Sequence, residues 1–192
     1  MKVKMLIVVD TQNDFISGAL GSPDAMATLG NIVEKIRRFE DHECVVFTMD
    51  SHYDDYLHTP EGKMLPIEHC LMGTEGWAFP QEIEDLMEEL DMEENPIVLK
   101  DQFGAPNITE PVEMLIHKKS KDTGIYIAPK DIEIEIIGLC TDICVMANAI
   151  MLKTQLDPEI CVKVVSDCCA GSTSEKHDMA LELMKGLGIE VV

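Results

Sequence analysis

Three side chains of different chemistry stand just past apolar segments of the chain, and together they suit nucleophilic catalysis. Cys144 lies in residues 133–149, EIEIIGLCTDICVMANA, where an apolar run stops at a short polar turn and a helical pattern begins. Ile132, Ile134, Ile136, Ile137 and Leu139 fit a strand buried in a parallel sheet. Val145, Ala147, Ala149, Ile150 and Leu152 fit a helix that Thr141 or Asp142 can cap. That reading places Cys144 in the first helical turn, where unpaired N–H groups and the helix dipole favour a thiolate. A buried structural cysteine would have the same local signature. Asp10 follows the apolar residues 3–9, and a half-desolvated carboxylate there can shuttle protons; the competing reading is a turn former. Lys100 follows a third apolar segment, residues 96–99.

A second group of chemistry-bearing residues falls in residues 50–77, DSHYDDYLHTPEGKMLPIEHCLMGTEGW, too polar and too rich in Gly and Pro for a core element. Asp50 and His52 are two apart, so in extended chain their side chains point the same way. With His69 they make an Asp/His/His set suited to a divalent metal, Zn²⁺, Mn²⁺ or Fe²⁺, with positions left open. Glu61 or His58 can add a fourth ligand. The competing reading is an exposed loop that happens to hold histidines.

The elements needed to bring these groups together are legible as an alternation. Strands are expected at 3–9, 44–49, 96–99, 133–139, 161–165 and 188–192, and helices at 25–39, 80–90, 112–119 and 175–187, the last with Met179, Leu183 and Met184 inward. Six strands alternating with helices imply a three-layer α/β/α domain with a doubly wound, mostly parallel sheet, filling residues 1–192 as a single domain. Asp10, Asp50, Lys100 and the turn before Cys144 each follow a strand, so they converge on the sheet edge that carries the ligand crevice.

Composition narrows the partners. The 192 residues carry a formal net charge of −21, which repels a phosphate backbone and an anionic bilayer, so neither nucleic acid nor membrane is an expected partner. No run of about 18 apolar residues and no signal-peptide pattern is present, so a cytoplasmic location is expected. Seven cysteines, an odd number scattered through core segments, fit reduced thiols better than a disulfide framework.

Taken together, VVDTQNDF, the DSH…PIEHCLMGTEG segment, VLKDQF and GLCTDICV resemble the isochorismatase-like cysteine hydrolases, and within them the nicotinamidase branch. The likeness continues through SDCCAG and HDMALELM to span nearly the whole chain. The resemblance implies a catalytic triad of Asp10, Lys100 and Cys144. The thiolate would attack a carboxamide, giving ammonia and a thioester that water hydrolyses, with Asp10 moving protons and Lys100 lowering the thiol pKa. It also implies a cis peptide between Leu139 and Cys140, with the N–H groups of Cys140 and Cys144 as oxyanion hole. Asp50, His52 and His69 match metal-ligand positions, zinc being the leading candidate, and Glu61 matches a fourth ligand of some members. The expected substrate is a small amide, nicotinamide first, and homo-oligomers are common in the family. Phe15 matches a pocket aromatic and Trp77 is a candidate for another, whereas Leu65 stands where such enzymes usually carry an aromatic residue.

Two further readings concern the other thiols. Cys140, Cys168 and Cys169 are expected near Cys144, which would permit a regulatory disulfide between Cys144 and Cys140 or Cys168. The remaining alternatives are hydrolysis of another small amide or ureide, or a non-catalytic module with a four-cysteine metal site made by Cys140, Cys144, Cys168 and Cys169.

Overall fold

The first strand, β1 (Val3–Val9), is buried everywhere but at Lys4, which is why its remaining residues are apolar on both faces rather than alternating. A computed structural model describes residues 1–192 and places β1 in the middle of a six-stranded sheet. The other strands are β2 (Val45–Asp50), β3 (Ile97–Lys100), β4 (Ile132–Leu139), β5 (Cys161–Ala170) and β6 (Glu190–Val191). Their order is β3-β2-β1-β4-β5-β6, and every neighbouring pair is parallel. This is the expected doubly wound sheet. Chain direction across it reverses between β1 and β4, and right-handed crossovers then put the helices of the two halves on opposite faces.

Seven helices complete the fold: α1 (Asn13–Ile16), α2 (Pro23–Arg37), α3 (Pro60–Met64), α4 (Gln81–Glu89), α5 (Thr109–Thr123), α6 (Met146–Gln155) and α7 (Ser174–Gly186). Helix α2 starts two residues before its apolar periodicity because Ser22 caps it, accepting from the Ala25 N–H, and Pro23 occupies the first turn. Helix α5 runs past the expected residues 112–119 until Gly124, in a left-handed conformation, ends it. No helix is long and apolar enough to cross a membrane.

Two expectations are corrected. On α7, Ala180, Leu181 and Met184 face the core, while Met179 and Leu183 are 63% and 60% exposed. Apolar residues on both faces left the inward stripe ambiguous by period alone. The turn after β4 is a π-helical turn, Thr141–Val145, and neither Thr141 nor Asp142 caps it. Their side chains serve tertiary contacts instead. Asp142 accepts the Ser172 N–H and hydroxyl, each at 2.7 Å, and Thr141 pairs with His177 Nδ1 at 2.8 Å.

The sheet edge that carries the site depends on one close approach. Gly138 pairs with Val9 and has φ +119, and a Cβ there would lie 2.0 Å from the Val9 carbonyl oxygen. Only glycine lets β4 lie so near the end of β1, where Asp10 begins the crevice.

Candidate active site

Four strand ends deliver the expected residues to one place. Asp10 leaves β1 with φ 46, a left-handed conformation that aspartate tolerates better than most residues. Thr48 holds it there by donating its hydroxyl to Asp10 Oδ1 at 2.5 Å. Asp50 and Lys100, which end β2 and β3, are directly paired in the register. The Lys100 ammonium is the hub: it lies 2.7 Å from Asp10 Oδ2, 2.9 Å from Asp50 Oδ1 and 3.5 Å from Cys144 Sγ, with its side chain fully buried. Cys144 sits inside the π-helical turn, whose wider winding leaves Val145 N–H bonded to the Cys140 carbonyl at 3.1 Å.

The peptide bond between Leu139 and Cys140 is cis, as expected. Cys140 and Cys144 both line a cavity of about 300 Å³, one N–H group standing just before the turn that carries the thiol and the other within it. Donors beside a thiol meet the geometric need of an oxyanion site.

The second group assembles too. Ligand atoms of Asp50, His52, Glu61 and His69 all lie within 4.8 Å of one another. His69 Nδ1 is 2.8 Å from the Ile67 carbonyl, which can only accept, so Nδ1 carries a proton and the neutral ring has its Nε2 lone pair available as a ligand. That lone pair faces Asp50 Oδ2 at 3.3 Å and Glu61 Oε1 at 4.0 Å. His52 Nε2 joins at 3.0 Å from Asp50 Oδ2 and 3.7 Å from Glu61 Oε1. Converging acceptors repel one another unless a cation lies between them, so the donor set fits a divalent metal. Tyr56 packs its ring against both imidazoles, with centroids 4.5 Å and 4.9 Å away, and donates its hydroxyl to the Leu65 carbonyl. His58 is exposed and outside the group.

The DTQNDF segment is the frame of both groups. Gln12 donates to the Asp50 carbonyl and accepts the Asp50 N–H, each at 2.8 Å, which fixes the carboxylate shared by Lys100 and the imidazoles. Asp14 accepts the Cys70 N–H at 2.7 Å, which ties down the loop bearing His69.

A model of the isochorismatase domain matches residues 4–192. The chain belongs to the isochorismatase family. Among its relatives, a nicotinamidase/pyrazinamidase of Mycobacterium tuberculosis is 25% identical over 202 residues, covering 99% of this chain and 98% of that protein. The crystal structure of a nicotinamidase/pyrazinamidase from Bacillus subtilis superposes with a TM-score of 0.76 at 28% identity, covering all of both chains. A pyrazinamidase of Pyrococcus horikoshii in complex with zinc gives 0.70 at 25% identity, covering 98% of each chain. These relatives are hydrolases of amide C–N bonds, and this isochorismatase-family chain is a hydrolase of that class.

The electrostatics of this family member differ from the sequence expectation in one respect. Burial pushes the Cys144 thiol well above its ordinary range; Lys100 pulls it down, but Asp10 and Asp50 push it up again. Burial and two carboxylates outweigh one ammonium, so the net shift of the thiol is upward. Burial likewise raises Asp10, against the pull of Lys100. Burial alone would favour a neutral Lys100, yet its anionic neighbours, Asp10 first, hold its pKa well above the ordinary value.

Phe15 and Leu65 line the cavity, and Trp77 does not. The Trp77 indole N–H donates instead to Ser51 Oγ at 2.9 Å. Phe103, Ile143, Ser172 and Lys176 line it unforeseen. Phe103 was findable in principle, three residues past Lys100 on the same crevice edge. Cys168 and Cys169 are not in the wall, and Cys168 Sγ instead approaches the Asn31 carbonyl under α2. All seven thiols are free and no cysteine joins the metal-type cluster, so the four-cysteine site does not form.

Proposed function

We propose that the chain, acting as one hydrolase domain, is a metal-assisted cysteine amidase that converts nicotinamide and water to nicotinate and ammonia. The observation that carries this reading is the Lys100 ammonium touching Asp10, Asp50 and Cys144 at once. Phe15 and Phe103 offer the ring-sized cavity two aromatic walls. Asp50, His52, Glu61 and His69 would hold a divalent metal, zinc first by the donor set, which as a Lewis acid holds and orients a ring nitrogen.

In this mechanism Cys144 Sγ attacks the carboxamide carbon as its proton passes to Asp10. The raised pKa of Asp10 suits a group that must accept that proton and return it. The N–H groups of Cys140 and Cys144 take the oxyanion, Asp10 protonates the departing ammonia, and a Cys144 thioester remains. Asp10 then removes a proton from water, which cleaves the thioester to the acid. Lys100 stays charged throughout and offsets the negative charge that moves between Sγ and Asp10.

Ammonia release from nicotinamide tests the reading, and its pH profile tests the role of Asp10. Asp10 must be ionised to accept the proton, so kcat/KM falls as pH falls through its folded pKa. Because burial raises that pKa, the acid limb is expected above the ordinary aspartate value of about 4. Metal content measured at each pH separates this limb from metal loss. A limb at or below the ordinary value would contradict the assignment.

One observation favours a second reading. Leu65 offers the cavity no aromatic face, so a small amide or ureide without a ring is the alternative substrate.

A further inference from the structure

The cavity wall has a cation that the mechanism leaves without a task. Lys176 belongs to the first turn of α7, and its backbone N–H is anchored to the Thr173 hydroxyl at 3.2 Å. Its side chain lines the cavity shared by Cys144 and Cys140, yet no carboxylate lies within 4.0 Å of its ammonium. Two acids that bond to the turn leading into α7 are engaged there: Asp142 accepts two hydrogen bonds from Ser172, and Asp24 accepts the Ser174 hydroxyl at 2.7 Å.

The rest of the wall sharpens the contrast. Asp50, Glu61 and His69 form one polar end, and Phe15, Leu65, Phe103 and Ile143 are apolar. Lys100 is sealed behind, so Lys176 is the one lysine or arginine in the wall. In a chain of formal charge −21, an anionic ligand is repelled almost everywhere unless a local cation receives it. Nicotinamide itself has no group that would use such a cation.

We propose that Lys176 makes the site selective for amides that carry a carboxylate, the ammonium binding that second group while the carboxamide faces Cys144. This deepens the amidase reading and rests on it: nicotinamide is turned over, and an amide that also carries a carboxylate is turned over more efficiently. A charge-assisted hydrogen bond in a partly enclosed cavity outweighs one at an open surface.

The test compares kcat/KM of the metal-loaded protein within matched pairs. One series is pyridine-3-carboxamides bearing a carboxylate or a methyl group at the same ring carbon. The other is succinamate against butanamide. At least one carboxylated amide is expected to be preferred over its neutral counterpart. Lys176→Ala lowers that ratio about tenfold and Lys176→Glu lowers it further, while Lys176→Arg retains it. Lys176 is exposed and has no side-chain partner, so these variants keep the fold. Absence of any carboxylate preference in the wild type overturns the proposal, and so does a Lys176→Ala variant that slows both members of each pair equally. Hydrolysis of succinamate but of no pyridine amide would sink the nicotinamide assignment and leave the role of Lys176 intact. Silence on both series sinks both.

Discussion

Lys100→Met is expected to lower kcat for amide hydrolysis by at least about 10³-fold and to destabilise the fold by roughly 3–5 kcal/mol. The side chain is fully buried between Asp10 and Asp50, so its removal leaves two carboxylates facing each other without a cation. The protein escapes part of that cost by protonating Asp10, and the sign follows. Without Lys100 the folded pKa of Asp10 rises further above its unfolded value, so folding is favoured at low pH and stability is lost as pH rises through the folded pKa. Urea unfolding at several pH values therefore shows a variant whose deficit grows toward neutral pH. A protonated Asp10 is also a disabled base, so in the variant the pH range that favours folding is the range that removes the base, and stability and activity respond to pH in opposite directions. A variant with wild-type stability at neutral pH would show that the ammonium does not hold the two carboxylates together.

Asp50→Asn is expected to fail in two separable ways, because one carboxylate serves both groups. Its Oδ1 accepts from Lys100 at 2.9 Å, and its Oδ2 faces His52 at 3.0 Å and His69 at 3.3 Å. Metal affinity should drop at least about 100-fold, since even partners one step outside a metal's ligand set cost 10- to 100-fold. His69→Ala should also lose metal but leave Lys100 with both of its carboxylates. Titration of each variant with zinc, followed by kcat at saturating metal, separates the effects. His69→Ala regains a larger share of wild-type kcat than Asp50→Asn. Equal recovery would mean that the contact between Asp50 and Lys100 contributes nothing to catalysis.

Why these groups were visible in the sequence, and others not, follows from what fixes each. Strands buried on both faces are apolar where they are buried, so the second halves of β1 and β4 announce themselves and the polar residues that follow them stand out. Asp10, Asp50, Lys100 and Cys144 were found in this way, and parallel pairing required them to share an edge. Glu61 could be placed beside the imidazoles only by the short helix α3, whose start is set by Pro60 and a Thr59 cap, while exposed His58 offered the same chemistry one turn earlier. The π-helical turn was not legible because Thr141 and Asp142 spend their side chains on His177 and Ser172, 36 and 30 residues away. The net direction of the Cys144 shift was not legible for a related reason: sequence reveals a neighbouring lysine, which does pull the thiol down, but not the full burial that decides the sign. Trp77 and Cys168 were drawn toward the site by proximity in the chain, and the fold turns both elsewhere.

The most direct measurement is ammonia release from nicotinamide by zinc-loaded wild-type protein, alongside Cys144→Ala and a chelated wild-type sample. The account predicts turnover by the loaded wild type, a loss of about 10⁴-fold or more in Cys144→Ala with metal content unchanged, and activity in the chelated sample that returns when zinc is restored. Turnover retained by Cys144→Ala, or no ammonia from the loaded wild type, would contradict it.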